Sequence, residues 1–97
     1  MEINEFEIVL NIRHDMHEED WVELVQAFEQ MPGWFGMKKS GVFLWFGTED
    51  DEIYVRGKIT YTGFELEANL PEVVWNAWLL QFIEKSSLAL GIEITEV

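Results

Sequence analysis

The segment that most constrains this chain is residues 73–90, VVWNAWLLQFIEKSSLAL, which predicts a helix that is apolar on nearly every side. At 100° per residue, one side of this helix gathers five apolar residues: Trp75, Leu79, Phe82, Ile83 and Leu90. A second apolar set lies among polar residues on the other side: Val73, Ala77 and Leu80, with Val74 and Trp78 at the border. A chain of 97 residues has room for one core layer beneath the helix. The remaining ridge is therefore tolerated surface, a self-association face or a contact for a foreign partner.

Alternating apolar and polar residues predict the strands of a sheet. Residues 4–13, 53–61 and 64–70 alternate with a period of two, which is typical of half-buried strands. The apolar phase slips at Thr62-Gly63, and a two-residue hairpin turn explains the slip better than a bulge, the alternative. Residues 42–47 form a short strand that is apolar on both faces, and residues 92–97 close the chain as a last strand.

A second helix is predicted between the first two strands, within residues 14–33. Trp21, Leu24, Val25 and Phe28 form one apolar stripe at helical spacing. Two capping boxes are predicted, one starting at Asp15 for this helix and one starting at Asn69 for the long helix. Residues 33–41 are a glycine-rich connection and residues 48–52, TEDDE, a polar turn, while Gly91 ends the long helix.

The order β-α-β-β-(β)-α-β predicts the fold class α+β. We expect a two-layer sandwich in which a mainly antiparallel sheet of four or five strands carries two helices on one face, as in the ferredoxin-like arrangement. The length indicates a single domain over residues 1–97.

The charge balance is strongly acidic, with 19 acidic and 6 basic residues and a net charge of −13. This argues against direct binding to nucleic acid or to an anionic membrane, and it permits a basic protein partner. Averaged over the surface of a chain this size, the density is roughly one net charge per 450 Å², about four times more dilute than duplex DNA. A DNA mimic would therefore have to crowd its acids onto one face.

The sequence carries no recognisable catalytic or metal-binding motif. His14, Asp15, His17, Glu18 and Asp20 cluster at a helix start, but a solvated helix start is the expected interpretation rather than a metal site. No serine lies in a nucleophile elbow, and no glycine-rich phosphate loop is present. We expect no enzyme activity, no metal and no cofactor.

The location is predicted from what the sequence lacks. There is no cysteine, which fits a reducing cytoplasm. The N-terminus has no basic segment of a signal peptide, and no apolar run reaches the ~18 residues of a spanning helix. A cytoplasmic protein is expected.

Two features suggest a binding surface. Trp34 and Phe35 lie between glycines, so one is expected to seal the edge of the core. The other is either exposed as an interface anchor or ligand lid, or part of a hydrophobic plug under the loop, which is the favoured interpretation. The acidic turn supplies four consecutive carboxylates. The composition resembles that of toxin-neutralising immunity proteins and phage-encoded inhibitors, a likeness of type that carries over no residue.

The leading hypothesis is a non-catalytic, acidic inhibitor that occupies a basic surface of a protein partner, such as a nuclease-type toxin or another nucleic-acid enzyme. Four acids would steer association: Glu49, Asp50, Asp51 and Glu52. Three aromatic residues would anchor the complex: Trp34, Phe35 and Trp78. The alternative is a homodimeric ferredoxin-like domain that binds a small ligand in an apolar cavity lined by Phe43, Trp45 and Tyr54. A nucleic-acid mimic is the third possibility.

Overall fold

The alternating segments pair into one sheet, and the two helical segments pack on it. The computed structural model describes residues 2–97. Its elements, in chain order, are β1 (Asn4–Leu10), α1 (Glu18–Glu29), β2 (Trp34–Met37), β3 (Phe43–Trp45), β4 (Tyr54–Thr60), β5 (Gly63–Leu70) and α2 (Glu72–Leu90).

The sheet has the order β1-β5-β4-β3-β2, and each neighbouring pair is antiparallel. Strands β2 to β5 follow one another as a meander, and β1 pairs with β5 at the far edge. The α+β class, the antiparallel sheet and the two helices are confirmed. The ferredoxin-like arrangement is not confirmed, because the described elements run β-α-β-β-β-β-α and no strand follows α2.

The phase slip between β4 and β5 is a two-residue hairpin, as predicted. Thr60 pairs with Gly63, so Tyr61 and Thr62 form the turn. The Thr60 hydroxyl lies 2.9 Å from the Thr62 hydroxyl and 3.0 Å from the Gly63 carbonyl oxygen, which holds the turn together. Gly63 has φ 146°, and a Cβ there would collide with the carbonyl oxygen of Leu10 on β1. Glycine is therefore required where β5 begins.

The predicted last strand, residues 92–97, is wrong as a regular strand. This segment makes a single isolated bridge, between Glu96 and Leu10. Two backbone hydrogen bonds flank this bridge, from the Asn11 N–H to the Thr95 carbonyl at 3.0 Å and from the Val97 N–H to the Val9 carbonyl at 2.9 Å. The Asn11 side chain adds two more: its amide donates to the Glu93 carbonyl at 3.1 Å, and its oxygen accepts from the Thr95 N–H at 2.8 Å. The segment therefore lies along the end of β1 and pairs with it at one residue, which is too short a pairing to make a regular strand.

The prediction of a glycine-rich connection over residues 33–41 is wrong in part, because strand β2 lies within this segment. A register shift between Trp34 and Gly36 interrupts the pairing of β2 with β3. Gly33 and Gly36 both have positive φ, 84° and 139°. Glycines at such positions break the period-two pattern, which is why the sequence resembled a loop.

Both capping boxes are wrong, although the predicted end of α2 is confirmed. Helix α1 follows His17 without a side-chain cap, because Asp15 accepts two hydrogen bonds from Arg13, at 2.9 and 2.8 Å. Helix α2 follows Pro71, and Asn69 belongs to β5. Gly91 is left-handed, with φ 67°, and its N–H donates to the Ser87 carbonyl at 2.8 Å.

The core is an aromatic cluster between the sheet and the helices, centred on Phe28 of α1. The Phe28 ring lies 5.0 to 5.5 Å, between centroids, from four other rings: Phe43, Trp45, Phe64 and Phe82. On the same side of the sheet, Phe6 of β1 stacks on Trp75 of α2 at 5.3 Å. Both helices thus cover one face of the sheet and leave the other open.

Candidate protein-binding surface

Antiparallel pairing brings corresponding ends of the strands together. Glu5 near the start of β1 pairs with Asn69 near the end of β5, and Asn69 pairs with Tyr54 at the start of β4. Trp45 ends β3 opposite Trp34, which starts β2. The loop of residues 46–53 joins β3 to β4 at this same end. Residues that are far apart in the chain therefore share one end of the open face.

The next row of the open face crosses four strands. Leu44 lies opposite Arg56, Arg56 opposite Glu67, and Glu67 opposite Glu7. Two acid–base pairs lie in register across β4 and β5, Arg56 with Glu67 and Lys58 with Glu65. Glu7 and Glu67, however, put two carboxylates directly opposite each other, which is an unfavourable cross-strand pair.

These two rows enclose a groove, which we call the Tyr54 groove. It has a volume of about 410 Å³ and is lined by Glu5, Phe6, Glu7, Tyr54, Glu67, Ala68 and Asn69. Tyr54 is only 9 % exposed. Burial raises the pKa of its hydroxyl, and the carboxylates of Glu67, Glu49 and Glu5 raise it further. The groove thus combines a neutral phenol with several carboxylates.

The four predicted steering acids have different roles in the structure. Glu49 is held in ion pairs, at 2.8 Å from the Lys38 ammonium and 3.2 Å from the Arg56 guanidinium. The hydrogen bond from Lys38 is the main cause that lowers the pKa of Glu49. The Asp51 carboxylate accepts from the Thr48 N–H at 2.8 Å, which shapes the loop.

The carboxylates that the loop exposes are Asp50, Asp51 and Glu52. With Glu49 engaged internally, these three remain available at the surface for steering a partner.

The ion pairs of Glu49 also explain why β3 is apolar on both faces. Phe43 and Trp45 point into the core, whereas Leu44 lies on the open face and is nonetheless only 3 % exposed. Strand β3 lies between β2 and β4. A bridge from Lys38, after β2, through Glu49 to Arg56, on β4, therefore passes over β3. The acidic loop folds over this strand and covers its outer side.

Trp34 and Phe35 divide into one inward and one outward residue, so the favoured plug under the loop is wrong for Phe35. The Trp34 ring lies 5.7 Å from the ring of Trp45 and seals the edge of the core. Phe35 is 58 % exposed. Phe35 is the unpaired residue at the register shift between Trp34 and Gly36, which turns it away from the core that Trp34 seals.

Phe46, which the sequence did not single out, is a second exposed aromatic residue at this end. It has φ 69°, and its N–H donates to the Gly33 carbonyl at 2.7 Å. The Phe46 ring occupies the space that a side chain at position 33 would need. Gly33, before Trp34, is the one residue in the sequence that hints at this packing. The left-handed backbone conformation of Phe46 is rare for a phenylalanine and cannot be predicted from the order of residues.

The prediction of Trp78 as a surface anchor is wrong. This side chain is 3 % exposed, and its ring stacks on Phe82 at 5.0 Å. Its indole N–H donates to the Pro32 carbonyl at 3.1 Å, which ties α2 to the segment after α1. The sequence puts Trp78 at the border between the core side and the outer side of α2. Helix α1 packs beside α2, so this border lies inside the core.

The outer side of α2 exposes the predicted Val73, Ala77 and Leu80, and also Leu88, which the prediction did not include. We define the α2 ridge as Val73, Ala77, Leu80 and Leu88, which are exposed at helical spacing and interrupted by Glu84. Leu80 is 62 % and Leu88 84 % exposed. Beside it, α1 carries five acidic residues and no basic residue.

We define the acidic sheet end as Glu5, Glu7, Glu67, Asp50, Asp51 and Glu52 together with Phe35 and Phe46.

No protein-family model matches the chain, and searches of curated proteins and of solved structures found no match. Function therefore has to be inferred from these surfaces alone.

Three further observations limit what the described residues can do. Residues 2–97 contain no group of three or more His, Cys, Asp or Glu side chains arranged to hold a metal ion. No helix in the same range is long and apolar enough to cross a membrane. The apolar cavity predicted for a small ligand is not formed by its three residues, because Phe43 and Trp45 lie in the core and Tyr54 lies on the opposite face of the sheet.

Proposed function

We propose that this protein is a non-catalytic binding protein that occupies a basic surface of a protein partner through its acidic sheet end. One observation carries the proposal. The antiparallel register collects Glu5, Glu7 and Glu67 beside the exposed acids of the 46–53 loop, and the nearby cations Lys38 and Arg56 are already engaged by Glu49. Apart from Glu67, which lies 3.8 Å from the Arg56 guanidinium, the carboxylates of this surface make no ion pair within the described residues, so their counter-charge has to come from outside the chain.

The mechanism combines steering and anchoring. The carboxylates raise the rate of encounter with a basic surface and fix its orientation. Phe35 and Phe46 supply apolar area at the same end of the sheet, and aromatic residues of this kind dominate the energy of many interfaces. A nuclease-type toxin or another nucleic-acid enzyme fits as partner, because its basic cleft must attract a polyanion. Occupying that cleft would exclude the substrate and inhibit the enzyme.

The test compares two variants of equal net charge. E5Q/E67Q/D50N/E52Q neutralises four acids of the acidic sheet end, and E23Q/E29Q/E84Q/E93Q neutralises four exposed acids elsewhere. Each protein is immobilised, exposed to a cell lysate at several salt concentrations, and the retained proteins are identified and quantified by mass spectrometry. We expect a small set of basic proteins that the wild type and the control variant retain and the sheet-end variant loses.

Retention that falls equally in both variants would show that only the overall charge matters, and it would contradict a defined binding surface. The salt series gives a second criterion. A specific interface with aromatic anchors resists screening better than diffuse attraction. If rising salt removes the retained proteins equally fast from the wild type and from both variants, a defined binding surface is again contradicted.

A second candidate function is homodimerisation, and the α2 ridge favours it. Exposed apolar patches often mark an interface, and Val73, Ala77 and Leu80 form such a patch, which Glu84 separates from Leu88. The proposal places the second copy against Val73, Leu80 and Leu88, which leaves the acidic sheet end free. The predicted ligand cavity is not formed, because Phe43 and Trp45 lie on the opposite face of the sheet from Tyr54, so a small ligand would have to bind elsewhere. The solution mass, discussed below, separates a dimer from a monomer.

A further inference from the structure

We propose that the Tyr54 groove binds the guanidinium group of an arginine side chain on the protein partner. This inference rests on the proposed function and deepens it, because it names the chemical group that the acidic sheet end recognises. The groove offers hydrogen-bond acceptors from three neighbouring strands, and a guanidinium brings only donors.

The first supporting observation is the unfavourable charge pair. Glu7 and Glu67 lie directly opposite each other on β1 and β5. The guanidinium of Arg56 comes no closer than 3.8 Å to Glu67, beyond hydrogen-bond distance, while it donates to Glu49 at 3.2 Å. The two opposed carboxylates therefore have Arg56 as their nearby cation, which they share with Glu49, and an external cation between them would convert repulsion into attraction.

The second observation is independent of the acids. The Tyr54 residue is 9 % exposed, and it lines the groove. Among the side-chain hydrogen bonds of the described residues, none involves its hydroxyl. The Tyr54 oxygen is itself not enclosed, because the Ser86 hydroxyl is the one buried unpaired side-chain atom among the described residues, so a ligand in the groove can reach it. The register puts Tyr54 opposite Asn69 and Asn69 opposite Glu5, so Tyr54 lies on the acidic face of the sheet, where burial and the carboxylates of Glu67 and Glu5 raise the pKa of its hydroxyl.

The geometry favours a guanidinium over an ammonium or a metal ion. The acceptors are Glu5 and Glu7 on β1, Glu67 on β5 and the Tyr54 oxygen on β4, so they are spread over three strands. A planar group with five donors can contact several of them at once, stack on the phenol ring and leave water at low cost. A metal ion would need ligands converging on one point, and residues 2–97 provide no such cluster.

The test uses small probes and needs no partner. N-acetylarginine methylamide is titrated into the protein labelled with ¹⁵N, and amide shifts are followed by NMR. The matched lysine and citrulline compounds serve as controls, since citrulline has the same shape without the charge. We expect saturable shifts at Tyr54, Glu67 and Asn69 with arginine, weaker ones with lysine and none with citrulline.

Variants then locate the site. We expect E67Q to weaken arginine binding by about tenfold, because one charged hydrogen bond is lost. Y54F should weaken it by a few fold, since the ring remains and only the hydroxyl is removed. E29Q is the matched control and should leave the affinity unchanged, because Glu29 lies on α1, on the other side of the sheet. The amide spectrum of each variant shows whether it is folded.

Equal shifts with citrulline, an unchanged affinity in E67Q, or equal binding of lysine and arginine would each overturn the inference. These results leave the lysate experiment unaffected, because other acids of the acidic sheet end could still bind a basic partner. If the probes bind as expected while no basic protein is retained, the proposed function fails and the chemistry of the groove stands.

Discussion

The acidic sheet end and the α2 ridge lie on opposite outer surfaces of the molecule and differ in origin. The sheet alternates, so half of its side chains must point outward, and in this sequence they are mostly charged. Helix α2 is apolar on nearly every side, and the single sheet covers only one of them. The acidic surface therefore follows from the periodicity of the strands, whereas the ridge is apolar surface that one core layer cannot bury.

The comparison has a consequence for binding. Charged groups on a surface give specificity and speed of association, but each exposed ion pair adds little energy. Exposed leucines give energy with little specificity. A partner that recognises the acidic sheet end would be selected by charge, whereas a partner on the α2 ridge would be selected by shape and apolar area.

The largest expected effect distinguishes the buried and exposed sides of α2. Trp78→Ala should lower the free energy of unfolding by about 3–5 kcal/mol, because it removes a buried ring and the hydrogen bond to Pro32. Leu80→Ala, on the α2 ridge, should change it by less than about 0.5 kcal/mol. Urea denaturation followed by tryptophan fluorescence measures both. If the two substitutions cost the same, α2 is not divided into a core side and a ridge.

The next effect tests the buried side of α2 further. Ser86 is buried, and its hydroxyl has no hydrogen-bond partner among the described residues. Ser86→Ala should therefore raise the free energy of unfolding by about 1 kcal/mol, since it removes an unsatisfied polar group from the core. Ser87→Ala is the contrasting control, because the Ser87 hydroxyl accepts from the Ile94 N–H at 3.2 Å and its loss should be destabilising. The sign of the two changes, in the same urea experiment, is the result that matters.

A smaller effect is expected at the acidic sheet end. The pKa of Glu49 is lowered in the folded state by Lys38, so the folded state binds fewer protons there than the unfolded chain. The resulting stability is present above the unfolded pKa and is lost as the pH falls through the lower, folded pKa. Glu49→Gln should cost at most about 1 kcal/mol at neutral pH.

The measurement is the free energy of unfolding against pH for the wild type and for Glu49→Gln. The difference between the two curves should shrink as the pH falls below the ordinary range of a glutamate. Glu52→Gln is the control, since Glu52 is exposed in the same loop. A difference that stays constant down to low pH would mean that the Lys38–Glu49–Arg56 bridge does not stabilise the fold.

The smallest expected effect is on the solution mass. If the partner is a different protein rather than a second copy of this chain, light scattering should give the mass of a monomer at low and high salt. The net charge of −13 on each copy opposes self-association. Leu80→Glu should then leave the mass unchanged. A dimer at both salt concentrations that Leu80→Glu converts to a monomer would assign the α2 ridge to a second copy and favour the homodimer.

Part of the fold followed from local pattern. The alternation of β1, β4 and β5, the hairpin after Thr60 and the glycine end of α2 each depend on a few neighbouring residues, and each was predicted. The adjacency of Trp34 and Phe35 also indicated that one of them seals the edge of the core. Strand β2 was missed because its glycines break the alternation, and the last segment was overestimated because its pairing with β1, far away in the chain, covers only one residue.

The candidate surface was only half predictable. The acidic turn and Phe35 were evident from the residues, but Glu49 is paired by Lys38 and Arg56, which lie on other strands. Trp78 was misplaced because helical periodicity gives a direction around one helix and does not say where the other helix packs. The prediction that Tyr54 lines an apolar cavity is wrong, because strand order gives it acidic neighbours, Glu5 and Glu67, that alternation along β4 does not reveal.

The sequence by itself determined the amphipathic strands, the excess of acidic residues and a helix with more apolar surface than one sheet can cover. Only the tertiary structure decided that β1 pairs with β5, which places Glu7 opposite Glu67 and brings Tyr54 beside them. The physical reason is that side-chain alternation is a local property of each strand. Strand order and register depend instead on pairing between residues far apart in the chain, and these set which charges become neighbours.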